Sequence, residues 1–76
     1  MSKYYISKPV THKVDPEIIK KIREMDHESE IVKRLEDADV CVFQAGWTKS
    51  GVCADEFLYA SEHRIRIKDG FLYTDR

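Results

Sequence analysis

Four apolar residues in succession, Val40 to Phe43, constrain this chain more than any other feature. A strand with one face in water alternates apolar and polar residues. An unbroken run belongs to a strand covered on both faces, as in parallel α/β sheets. The run leads through Gly46 and Trp47 to Ser50-Gly51 and then into a helical pattern. There Cys53, Ala54, Phe57, Leu58, Ala60 and Ser61 mark an inner face, with Asp55, Tyr59 and Glu62 outside and Glu56 at the margin. Strand, glycine-bearing loop and helix thus follow one another. In α/β sheets ligands sit at such junctions, beyond the strand's carboxyl end and facing the N–H groups of a helix start. Glu56, about one and a half turns into that helix, is placed to face what binds there.

The remaining pattern supplies partners for this unit. Tyr4-Tyr5-Ile6 reads as a short strand closed by Lys8-Pro9, since proline cannot donate to a central ladder. Asp15-Pro16-Glu17 opens a helix with an acceptor at the N-cap, proline at the first turn and an acid behind it. Ile18, Ile22, Met25, Val32 and Leu35 predict that this helix, whole or broken near Ser29, continues to about Glu36. Ile65 to Lys68 and Phe71 to Thr74 flank Asp69-Gly70, a strong hairpin signal. The expected order is β-α-β-α-β-β, a small two-layer, mainly parallel α/β domain with a C-terminal hairpin. Adding each strand beside the last puts both helices on one face. The other face is then bare, and a second copy of the chain is the expected cover.

Size and charge bound the function. A chain of 76 residues supports a single domain, residues 1–76. A core this small supplies about 3–5 kcal/mol of net stability, which also favours a homodimer or higher assembly. The net charge of −1 gives no general case for nucleic acid or an anionic membrane. No apolar run approaches the roughly 20 residues that span a bilayer, and Met1 to Ile6 lacks a signal-peptide core. Cys41 and Cys53 form no C-x-x-C pair and read as reduced core thiols in a cytoplasm. His12, His27 and His63 share no ligand spacing with them, so neither metal nor cofactor is expected. Gly46 to Ser50 lacks the glycine directly before Lys49-Ser50 that a Walker loop needs.

Two motifs carry a family resemblance. The first is Tyr5-Ile6-Ser7-Lys8-Pro9. The second is Ala38-Asp39, then Gly46-Trp47, Ser50, Glu56 and Ala60 at matching spacing. Together they resemble the nucleoside 2-deoxyribosyltransferase-like superfamily, especially its small phage and bacterial members. The resemblance covers about half the chain, which looks shortened in the middle, where relatives carry a further helix and strand. Lys8 stands where the family has glycine, and Val52-Cys53 where it has Gly-Ala. It implies Glu56 as nucleophile at the anomeric carbon and Tyr5 as the group that orients it by a hydrogen bond. It implies a ligand surface of Ser7, Asp39, Gly46, Trp47, Ser50 and Gly51, with Trp47 stacking on a base. The expected function is binding of a nucleoside or nucleotide-like molecule by a non-catalytic or degenerate relative, with a host protein as a further partner at the uncovered sheet face. The alternative is an enzyme acting on the N-glycosidic bond through Glu56, as transferase or hydrolase. A phage origin would place the chain in a host cytoplasm.

Overall fold

The computed structural model describes residues 2–69. It is an α/β domain built on four parallel strands: β1 (Lys3–Ser7), β2 (Glu30–Ile31), β3 (Val40–Phe43) and β4 (Arg66–Asp69), in the order β2-β1-β3-β4. Helix α1 (Pro16–Met25) links β1 to β2, and helix α2 (Gly51–Glu62) links β3 to β4. Short 3₁₀ turns cover Leu35–Asp37 and Trp47–Lys49. No described helix is long and apolar enough to cross a membrane.

Both helix starts follow the chemistry of their residues. The Asp15 carboxylate accepts the Glu17 N–H at 2.9 Å, and Pro16 fills the first turn, where its missing donor costs nothing. Ser50 caps α2 by accepting the Cys53 N–H at 3.4 Å.

The first helix stops earlier than its apolar spacing predicts. It ends at Met25, and Asp26 turns extended. The Asp26 side chain accepts the Glu28 N–H and its carbonyl accepts the Ser29 N–H, which closes a turn in place of a further helical one. Glu30 and Val32 then donate to the carbonyls of Ser2 and Tyr4, and β2 joins β1. A strand absent from the expected order therefore lies between α1 and β3, two residues long. Val32 and Leu35 continue the apolar stripe by coincidence, from beyond the helix.

The helices cover opposite faces, which corrects the two-layer expectation. Ile18 and Ile22 of α1 pack on Tyr4, Ile6, Val40 and Val42. Cys53 and Ala60 of α2 pack on Cys41 and Phe43, with Tyr5 and Phe57 beside them. Successive strand residues point to opposite faces, so the two clusters lie on either side of the sheet. The physical cause is strand order: β2 adds on one side of β1 and β3 on the other. With right-handed crossovers, reversing the direction of winding moves the helix to the other face. Val40 to Phe43 is fully covered within one chain, so the bare face that called for a second copy does not exist. Arg66–Asp69 is a strand that pairs in parallel with β3, as the crossover through α2 leads one to expect. The hairpin's second run, Phe71 to Thr74, lies outside the described residues.

Candidate functional site

Strand alternation puts Tyr5 and Ser7 on the α2 face of β1, beside Cys41 and Phe43 in the register of β3. Glu56 lies three residues after the buried Cys53, at the edge of the packed face of α2. Its carboxylate reaches across to β1. The Tyr5 hydroxyl donates to Oε2, and the fully buried Ser7 hydroxyl donates to Oε1 at 2.6 Å. The second distance is that of a charge-assisted bond. Both carboxylate oxygens serve as acceptors.

This arrangement acts on its neighbours. Burial, and then the bond to Glu56, pushes the Tyr5 hydroxyl well above its ordinary value of 10.0, so it remains a donor. Burial, with the Glu56 charge second, pushes the Cys41 thiol up to about 12. A thiol that keeps its proton is no nucleophile at neutral pH.

Glu56 also lines a cleft of about 380 Å³. One wall is the α2 stripe Val52, Asp55, Glu56 and Tyr59, and the other is Arg34, Leu35 and Glu36. The cleft follows from the short crossover between β2 and β3. That link carries one 3₁₀ turn in place of a helix and passes over β1 on the α2 face, where Leu35 joins the packing. The strip beside α2 is left uncovered. Arg34 and Glu36 pair at 2.6 Å on the exposed rim.

The other residues expected at the site divide. Trp47 is not among the cleft residues: its indole stacks on Phe57 at 5.5 Å and 9° and meets Phe43 at 4.6 Å. It pins the loop to α2. Gly46 takes a left-handed φ of 91°, which the loop's turn requires. Gly51 is exposed at the first turn of α2, where an added Cβ would meet nothing within 4 Å. Ser50 is the N-cap of that helix. Asp39 sits at the opposite, N-terminal end of β3, where its carboxylate accepts the Lys3 N–H at 3.1 Å. It caps the strands and stands apart from Glu56. Among the described residues, no group of three or more His, Cys, Asp or Glu side chains is arranged to hold a metal ion.

Sequence reading missed two features. Arg34, Leu35 and Glu36 carry no motif and enter the site only through the crossover's path. Gln44 is buried and clamps the chain before α1, accepting the Asp15 N–H at 3.0 Å and donating to the Lys13 carbonyl at 2.9 Å. A polar residue directly after an apolar strand was the available signal. No protein-family model, curated protein or solved structure matches this chain.

Proposed function

We propose that this domain binds a nucleoside or nucleotide-like ligand in the cleft beside α2, with Glu56 accepting hydrogen bonds from the sugar. The observation that carries the reading is the Glu56 carboxylate, fixed by Tyr5 and Ser7 at the wall of an open, largely apolar cleft. A carboxylate has about four lone-pair sites, and two internal donors leave others for ligand hydroxyls. The cleft volume of about 380 Å³ falls within the range of small-molecule sites. The resemblance carried by Tyr5, Ser7 and Glu56 supplies the ligand class.

A second reading draws on the same bonds. An oriented carboxylate beside a space for a sugar is what a retaining N-glycosidic enzyme needs. Glu56 would bond to the anomeric carbon while the C–N electron pair leaves with the base, and water or another base would then release the sugar. Tyr5 would orient the nucleophile. Two free buried thiols suit a reducing cytoplasm. The same resemblance carries a phage origin.

The test is a panel of nucleosides and nucleotides titrated into the full chain by NMR, with wild type and Glu56→Gln. Shifts at Tyr5, Glu56 and Tyr59 that weaken in Glu56→Gln support binding. Free base accumulating in wild type alone promotes the enzymatic reading. No shifts across the panel would dismiss both.

A further inference from the structure

The walls of the cleft do not balance in charge. Among the described residues, Glu36, Asp55 and Glu56 stand against a single cation, Arg34. Arg34 is engaged by Glu36 at 2.6 Å, which leaves Asp55 and Glu56 without an ion-pair partner among the described residues. The hydroxyls that hold Glu56 are neutral donors. Asp55 makes no ion pair among the described residues. The same stripe of α2 carries an aromatic ring, Tyr59. His63 stacks on one face of that ring at 3.9 Å and 14°, and the remaining ring surface is what Tyr59 can offer the cleft. Carboxylates attract a cation by Coulomb's law and an aromatic ring attracts it through its quadrupole, so both act in one direction here. The same charges oppose a phosphate. Leu35 and Val52 add apolar surface suited to a flat ring.

Resting on the nucleoside reading above, we propose that the cleft takes a nucleoside whose base carries a positive charge, such as one alkylated at a ring nitrogen. The sugar lies at Glu56, and the cationic base lies between Asp55 and Tyr59. A neutral base needs a proton to leave the anomeric carbon, which among the described cleft residues the carboxyls of Glu36 and Asp55 or the Tyr59 hydroxyl would have to supply. A cationic base needs none. As the Glu56 oxygen bonds to the anomeric carbon, the C–N electron pair moves onto the base nitrogen and cancels its charge, and the base departs neutral.

Two isomers isolate the charge. 1-Methyladenosine is cationic in mildly acidic buffer, whereas N6-methyladenosine has the same formula and is neutral. Both are titrated into the full chain at about pH 6.5, beside unmodified adenosine, with dissociation constants read from NMR shifts. The cationic isomer should bind about fivefold tighter or more, as a single exposed cation–π contact already gives several-fold. The ratio should shrink toward one at about 1 M salt, where screening is short-ranged. Asp55→Asn, an exposed change, should shrink it too. Equal or tighter binding of the neutral isomer overturns the proposal, and so does a ratio indifferent to Asp55→Asn. Binding of adenosine with neither isomer removes the charge assignment and leaves the nucleoside reading standing. Silence from these three and from the wider panel removes both.

Discussion

Replacing Glu56 with alanine separates a carboxylate built into the fold from one that merely borders the helix. An exposed helical Glu→Ala change is neutral or gains a few tenths of a kcal/mol from alanine's better propensity. Here the change orphans two hydroxyls. Ser7 is fully buried, and losing its acceptor costs about 1–3 kcal/mol. Tyr5 is half-buried beside an open cleft, so water recovers part of its bond and about 1 kcal/mol is lost. The net destabilisation is about 2–3 kcal/mol. That is most of the roughly 3–5 kcal/mol a core of this size provides. Thermal unfolding followed by circular dichroism should show Tm falling by about 10–20 °C. The fall has a further signature. In a double-mutant cycle, Tyr5→Phe with Glu56→Ala should cost less than the sum of the two single changes, because both remove the same bond. A Glu56→Ala protein that melts at or above the wild-type temperature, or costs that simply add, would refute the reasoning. Glu56 would then be an ordinary boundary carboxylate, and the binding and catalytic readings would lose their common basis.

Alkaline pH should weaken the fold through two groups. The folded values of Tyr5 and Cys41 lie above their ordinary 10.0 and 9.0, so each contributes stability that is complete below its ordinary value and lost as pH rises toward the folded one. For Cys41 the loss runs from about pH 9 to about 12, and the urea midpoint should hold from neutral pH to about 9 and fall beyond it. A midpoint unchanged well above pH 10 would contradict the burial of these groups. Gln44→Leu should cost about 1–3 kcal/mol by leaving the Asp15 N–H and the Lys13 carbonyl unpaired. Amide exchange at Asp15 should accelerate with it, and an unchanged rate there would show that the clamp is not what holds the start of α1.

The sequence by itself determined the elements whose causes are local. Asp15-Pro16 and Ser50 fix their helix starts because capping needs only an acceptor and an N–H two or three residues on. Val40 to Phe43 declares a strand covered on both faces because an apolar run has no other stable place in a sheet. Glu56 could be singled out by its place in the helix after the loop, and Tyr5 and Ser7 by the family resemblance, whereas Asp39, expected at the ligand, caps the strands. What covers the second face was not legible. Strand order decides it, and the pairing of Glu30–Ile31 with β1 rests on backbone hydrogen bonds that leave little mark in two residues. The end of α1 at Met25 is likewise a contest between a continuing apolar stripe and that pairing. Trp47 shows the limit from the other side: an indole beside a glycine loop suits a ligand or a neighbour equally, and packing gave it Phe43 and Phe57. The cleft itself was decided by tertiary structure alone. Its wall of Arg34, Leu35 and Glu36 is set by a crossover too short to carry a helix, and its charge by which side chains that crossover brings opposite Asp55 and Glu56. Local rules act over one helical turn or one pleat, whereas the meeting of residues 34–36 with 52–59 depends on the winding of the whole sheet.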